Sequence, residues 1–198
     1  MTGMDRESEL ALVARLREGD ATAFDEVYAC FNTRLFNFLA RLSRRRQVAE
    51  DLLEETWLRL VARASRLQPD TRLGPWLFTV ARNLHASYRR SRLLEDSHAA
   101  DLIGLWPSGS PQPTPFEATA AGETGRRVEA ALGALPVAYR EALLLVVVEG
   151  LRPAEAAGVC GITPEAMRQR LSRARALLSR TLDENSVPGL AALKEVTT

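Results

Sequence analysis

The sequence predicts an all-α chain in which two small helical domains are joined by a flexible linker, the second domain containing a helix-turn-helix. Three observations predict it. Apolar residues recur at spacings of three and four through most of residues 1–94 and 124–183, as they do in helices that bury one face. Residues 95–123 lose that period and carry Pro107, Pro111, Pro113 and Pro115 among Ser, Thr and Gly, which reads as a linker. Leu135 to Leu178 places a turn glycine, an N-cap and an arginine-loaded helix at helix-turn-helix spacing. With 198 residues, 46% of them hydrophobic, the chain can bury one substantial core or two small ones, and the pattern favours two.

Residues 8–18 read as a short helix with Leu10, Val13 and Leu16 apolar and Gly19 closing it. Asp20 caps a longer helix running to about Ser43, whose apolar side includes Phe24, Val27, Tyr28, Phe31, Leu35, Phe38, Leu39 and Leu42. A third runs from about Gln47 to Leu67. Its apolar side takes Val48, Leu52, Trp57, Leu60 and Val61, and Glu50, Asp51, Glu54 and Glu55 make its first half acidic. Gln68 to Gly74 is a loop, and Pro75 opens a fourth helix with Trp76, Leu77, Val80, Leu84 and Tyr88 facing inward. Phe78, Arg82, Arg89 and Arg90 are expected on or near the opposite side. An outward aromatic among arginines suits melted nucleic acid, although a surface helix with one stray Phe has the same pattern. In the linker, Leu102, Ile103, Leu105, Trp106 and Phe116 are too apolar for an inert spacer and are expected to dock. The tail, residues 184–198, gives no functional signal.

The second domain carries the clearest chemistry. Ala157 supplies the small residue where two helices cross, Gly161 the positive φ of the turn, and Met167 the apolar anchor of the second helix. Thr163 before Pro164 is an N-cap followed by a proline where the missing N–H costs nothing. Met167, Leu171, Ala174 and Leu178 then fall on one face, while Glu165, Gln169, Ser172 and Arg173 fall opposite. Arg168, Arg170 and Arg175 flank that strip, suited to phosphates while the central positions read base edges in a major groove.

Net charge is only +1, which argues against a chain that coats nucleic acid indiscriminately, but the charges are segregated along the sequence. Of 26 basic residues only Lys194 is a lysine, which fits bidentate phosphate and guanine contacts and equally fits a GC-rich genome. No apolar run reaches membrane-spanning length and no secretory leader is evident, so no membrane insertion and a cytoplasmic location are expected. Cys30 and Cys160 are isolated, without a C-x-x-C pair, and both read as buried thiols. With only His85 and His98 besides, no metal, cofactor or enzymatic activity is expected.

Five segments in order resemble the ECF (extracytoplasmic-function) sigma factors of the sigma-70 family: DATAFDEVY from Asp20, AEDLLEETWLRL from Ala49, WLFTVARN from Trp76, LPVAYR from Leu135 and MRQRLSRAR from Met167. The resemblance implies that residues 1–94 and 124–183 correspond to regions two and four of that family. It implies binding to core RNA polymerase, recognition of minus-35 and minus-10 promoter elements, and promoter melting. Glu50, Asp51, Glu54 and Glu55 would face the clamp region of the polymerase beta-prime subunit. The loop from Gln68 to Gly74 and the helix after Trp76 would capture the melted minus-10 element, with Phe78, Arg82, Asn83, Arg89 and Arg90 at the DNA. Glu165, Arg168, Gln169, Arg170, Ser172 and Arg173 would hold the minus-35 duplex. An anti-sigma factor is an expected partner. The chain departs from the usual family pattern at Glu54, Ser87, Ala156 and Cys160.

Two other readings stay open at this stage. A sigma-like decoy would bind an anti-sigma factor without touching DNA, but no receiver-like alternation of strands and helices accompanies the helical domains. A helix-turn-helix repressor would dimerise on a palindrome, which the acidic third helix and WLFTVARN fit poorly.

Overall fold

The structure, a computed structural model, describes residues 5–100 and 122–184, with side chains for 5–93 and 122–183. The apolar linker residues Leu102, Ile103, Leu105, Trp106 and Phe116, and all but the first residue of the tail, lie outside the described residues. Those described form helices without a strand.

In the first domain α1 (Arg6–Arg17) starts where Asp5 accepts the Ser8 amide at 3.0 Å, and α2 (Ala21–Ser43) starts where Asp20 accepts the Thr22 amide at 2.8 Å. Hydrogen bonds from the Thr22 hydroxyl and Arg15 hold the Asp20 carboxyl below the ordinary carboxylate range. α2 ends at Arg44 with φ 55°, and α3 (Arg46–Arg63) follows, closed by a 3-10 turn at Ala64–Arg66. α4 spans Leu73–Ala100, so its backbone continues helical past the expected linker boundary at residue 95. The second domain comprises α5 (Glu123–Ala134), α6 (Val137–Leu143) continued as a π-helical segment over Leu144–Val148, α7 (Pro153–Cys160) and α8 (Pro164–Glu184).

The two cores expected from the sequence are one contiguous core here. Leu35, Leu39, Leu60 and Phe78 from the first half, and Leu145, Ala156, Met167 and Ala174 from the second, belong to the same buried cluster. The two halves join because α7 packs on α4 and α6 touches α2. Polar contacts seal the seam. Arg34 pairs with Glu149 at 2.9 Å and also donates to its carbonyl, and Arg41 pairs with Glu129 at 2.7 Å. The buried Arg140 guanidinium donates to the carbonyls of Leu132 in the last turn of α5, of Leu135 just after it and of Arg41 in the last turn of α2, at 2.9–3.1 Å. One cation thereby satisfies carbonyls at the negative ends of two helices from different domains.

Several placements differ from those expected, Leu10 and Tyr28 among them at 38% and 43% exposed. Phe78, expected outward, is fully buried and stacks edge-on against Phe38 with ring centroids 5.2 Å apart. The expectation treated α4 as packed on one face, whereas α2 and α3 cover one side and α7 another. Leu73, Leu77, Phe78, Ala81 and His85 are therefore its most buried residues, and Trp76, Val80, Leu84 and Tyr88 are only half-buried. Val61, expected in the core, is 60% exposed on the outer side of α3. Cys30, expected buried, is exposed because Val27 and Phe31 take the inward positions of that turn, whereas Cys160 is buried and its thiol is pushed up to about 11, first by burial and then by Glu141.

Candidate nucleic-acid and polymerase interfaces

The helix-turn-helix is built by short-range rules. α7 ends at Gly161 in the left-handed region with φ 64°, and Ala157, 1% exposed, accepts the Ile162 amide at 3.0 Å. Thr163 then caps α8, its hydroxyl accepting the Ala166 amide at 3.2 Å. Met167, Leu171 and Ala174 face the core, and Leu178 is half-buried beside them. Glu165, Arg168, Gln169, Ser172, Arg173 and Arg175 are exposed, while Arg170 is half-buried. Arg168 pairs with Glu165 one turn earlier. The arrangement is an exposed helix face with hydrogen-bonding groups along its centre and guanidinium groups along its edges, the width of a major-groove reader.

The first domain carries two clefts that meet at Trp76. One, of about 440 Å³, is lined by Arg63, Arg66, Leu67, Gln68, Thr71 and Trp76, and the other, of about 260 Å³, by Arg59, Arg63, Trp76, Thr79, Val80 and Asn83. Trp76 thus closes the core with one part of its ring and forms cleft wall with the rest. Of the residues expected at melted DNA, Asn83, Arg89 and Arg90 are exposed, and Asn83 lines the smaller of these two clefts. Arg82 points toward the second domain, its Nε 3.5 Å from the buried carboxylate of Glu141. Sequence reasoning missed Arg59, Arg63 and Arg66. Their spacing of four and three, running from the end of α3 into the 3-10 turn, was the available signal.

His85, one turn after Ala81 on the same helix, is 1% exposed, with no hydrogen-bond partner at Nδ1. Burial, reinforced by Arg89, Arg140 and Arg82, lowers its pKa to about 4 and keeps it neutral at neutral pH. Burial raises the pKa of Glu141, against the pull of Arg82, Arg170 and Arg89.

The acidic half of α3 divides into two pairs. Asp51 accepts from Gln47 at 3.0 Å, and Glu55 pairs with Arg59 at 2.8 Å, both within the helix. Glu50, which also pairs with Arg46 at 2.8 Å, and Glu54 rim an apolar cleft of about 370 Å³ whose walls include Tyr28, Trp57, Leu58 and Val61. Tyr28, Leu58 and Val61 are 43%, 56% and 60% exposed, so the cleft presents large apolar groups to solvent under two carboxylates. The Trp57 indole N–H donates to Asn32 at 3.1 Å, which fixes the floor. Among the described residues no group of three His, Cys, Asp or Glu side chains could hold a metal ion, and no helix is long and apolar enough to cross a membrane.

Residues 27–93 match the family model of sigma-70 region 2, and residues 125–178 match that of sigma-70, region 4. The chain is similar to RNA polymerase sigma factor CarQ of Myxococcus xanthus, with 34% identity over 86% of this chain and 95% of that one. It is similar to ECF RNA polymerase sigma factor SigM of Bacillus subtilis, with 32% identity over 76% of this chain and 90% of that one. Its fold matches that of the sigma factor RpoE of Bartonella quintana, solved in complex with the anti-sigma factor NepR, with a TM-score of 0.67 and 27% identity over 81% of this chain and 96% of that one. By both matched regions, and by similarity that runs nearly the full length of CarQ and SigM, this chain belongs to the ECF RNA polymerase sigma factors of the sigma-70 family.

Proposed function

We propose that this sigma factor reads the minus-35 element as duplex through α8 and holds the melted minus-10 strand in the clefts beside Trp76, while docking on core polymerase through the acid-rimmed cleft of α2 and α3. The observation that carries the reading is the pairing of two different arginine-edged surfaces in one chain. One is a convex helix that fits a groove, and the other is concave with a tryptophan wall that fits an unstacked base. Melting without a nucleotide cofactor requires only that the open strand be bound more tightly than the duplex. Unstacking a base costs a few kcal/mol, which stacking on Trp76 and contacts to Arg63 and Arg66 offset. Arg168, Gln169, Ser172 and Arg173 read bases upstream, with Glu165 and Arg170 at the margins, each good bidentate contact contributing ~1–3 kcal/mol of discrimination. Asn83, Arg89 and Arg90 serve the downstream element. Phe78 serves the core instead.

Glu50 and Glu54 with the apolar cleft suit a basic, partly apolar helical surface such as the clamp region of the beta-prime subunit, and Asp51 and Glu55 extend the negative field along α3. An anti-sigma factor covering the same cleft or the DNA-facing surfaces is the matching inhibitor. The two elements lie ~25 base pairs apart, about 85 Å of B-DNA, whereas a compact body of this size is about 40 Å across. Reading both elements therefore separates the domains and releases Arg82 from Glu141 for phosphate.

Run-off transcription with purified core polymerase and a library of promoter fragments tests this. Promoter-specific transcripts appear only when the protein is added and vanish in the Arg168→Ala, Arg173→Ala double variant. No core binding and no transcript from any fragment overturns it in favour of a decoy or a repressor.

A further inference from the structure

The loop between α3 and α4 forms one wall of the larger cleft beside Trp76, and nothing within the loop caps the helix that follows. The residue before Leu73 is Arg72, whose side chain has no acceptor for a helix N-terminus. The acceptor comes from far away in sequence. Glu9 on α1, 7% exposed, takes the Leu73 amide at 2.8 Å through one carboxylate oxygen. Its other oxygen pairs with Arg72 at 2.9 Å and with Arg6 at 2.8 Å. Arg6 in turn donates to the Asp70 carbonyl at 2.8 Å, and the Thr71 amide closes on the Gln68 carbonyl at 3.0 Å.

From this geometry we infer that Glu9, with Arg6, is a positioning residue for the melted-strand site: α1 acts as a remote N-cap that fixes the loop at Gln68–Thr71 and the first turn of α4, and so the shape of the cleft. The inference rests on the reading of that cleft as the minus-10 site. Glu9 has no place among the cleft-lining residues. It acts on them from behind, because Gln68 and Thr71 precede the held Leu73 amide and Trp76 follows it by one turn, its own amide bonded to the Arg72 carbonyl at 3.0 Å.

The physical reason is preorganisation. A strand captured by a loop that must first be ordered loses affinity to that ordering, and the surplus available for holding a base open is small. A buried carboxylate at a helix N-terminus makes a charge-assisted hydrogen bond and complements the helix dipole. Glutamine at that position keeps an oxygen for the amide but gives up both arginine pairs. Aspartate keeps the charge on a stem shorter by one methylene.

The test uses the full chain and the promoter fragment selected by run-off transcription. Its non-template strand is prepared single-stranded, with 2-aminopurine across the melted region, whose fluorescence rises on unstacking. A duplex carrying only the upstream element is the companion probe. We expect Glu9→Gln to weaken single-strand binding by about ten-fold and to suppress the fluorescence rise, while upstream duplex binding stays within about two-fold and the melting temperature stays close to that of the wild type. Glu9→Asp restores part of the single-strand affinity, and Arg6→Ala gives a smaller loss of the same kind. Equal single-strand binding by wild type and Glu9→Gln overturns the positioning role alone. Parallel loss on both probes overturns it in favour of a general stabilising role. Failure of the wild type to bind the single strand while it still binds the upstream duplex overturns the minus-10 reading, and the positioning role with it.

Discussion

The two surfaces proposed to face DNA are built by opposite strategies. In the second domain one helix does everything: α8 buries Met167, Leu171 and Ala174 and leaves Arg168, Gln169 and Arg173 exposed on the other side. In the first domain no single helix carries the site. Its clefts draw Arg59 and Arg63 from α3, Arg66 from the 3-10 turn, Gln68 and Thr71 from a loop, and Trp76 and Asn83 from α4, with α1 holding the loop from outside. A duplex groove needs only a convex rod, whereas an unstacked base needs a concavity, and a concavity takes several elements to wall it.

The largest expected difference between the two surfaces is in stability. Phe78 lies at the junction of α4 with α2, so Phe78→Ala should cost about 3–5 kcal/mol and lower the melting temperature by many degrees. Gln169→Ala on the exposed face of α8 should stay within about 0.5 kcal/mol of wild type. Thermal unfolding followed by circular dichroism checks both. A Phe78→Ala protein that melts like wild type would put that ring on the surface.

The same contrast explains what was legible in the sequence. The helix-turn-helix, its cap at Thr163 and its glycine at 161 follow from neighbours in sequence, and the inward and outward faces of α8 follow from a single period. All the residues singled out there are found where the period puts them, with Arg170 at the margin. The acidic run on α3 was equally plain, but not that only Glu50 and Glu54 rim the apolar cleft, since that depends on Tyr28 crossing from α2. On α4 the single-face assumption failed because α7 adds a second packed side. Phe78, which meets Phe38 of α2, was placed outward because the inward face was phased on Trp76 and Val80, and the burial of His85 and the Arg82–Glu141 pair across the seam carried no signal at all. Glu9 read as one more charge on a short helix, because its partners are 64 residues away.

The seam itself predicts a pH dependence. His85 is held neutral down to about pH 4 when buried and would take up a proton near 6.5 when exposed. Between those values the unfolded chain binds the extra proton, so this contribution is fully present above about pH 6.5 and is lost as pH falls toward 4, roughly 3 kcal/mol in all. Glu141, raised by burial, pulls the other way in the acid range, and Arg89, Arg140 and Arg82 oppose protonation of the histidine. The difference between wild type and His85→Leu isolates the histidine. Denaturant midpoints measured from pH 7.5 to 4.5 should converge as pH falls, with the variant losing less stability. Parallel curves would mean that His85 is accessible to solvent.

Binding should separate the surfaces next. Trp76→Ala should weaken capture of the single-stranded minus-10 fragment by ~1–3 kcal/mol, the range of a base–aromatic stack, and leave the upstream duplex untouched. Arg173→Ala should do the reverse, with a loss of ~1–3 kcal/mol confined to promoters that carry its preferred base. Fluorescence anisotropy with the two probes at one fixed salt concentration measures both. Crossed losses would show that the domains do not divide the promoter in this way.

The smallest effect sharpens the point about local construction. Gly161 has φ 64°, where a side chain is strained, so Gly161→Ala should destabilise the helix-turn-helix by about 1 kcal/mol even though nothing lies within 4 Å of an added Cβ. Gly158 sits three residues earlier, inside α7, also with nothing within 4 Å of an added Cβ but with ordinary helical backbone. There Gly158→Ala should stabilise by up to about 1 kcal/mol, because alanine loses less backbone entropy on entering a helix. Two identical changes three residues apart should thus move the denaturant midpoint in opposite directions. The opposition isolates the backbone conformation of the turn as the cause, since the added methyl finds open space at both positions. If both variants fall together, the α7 surface is covered by a contact that open space at Gly158 does not reveal, and the second domain is less autonomous than its sequence makes it look.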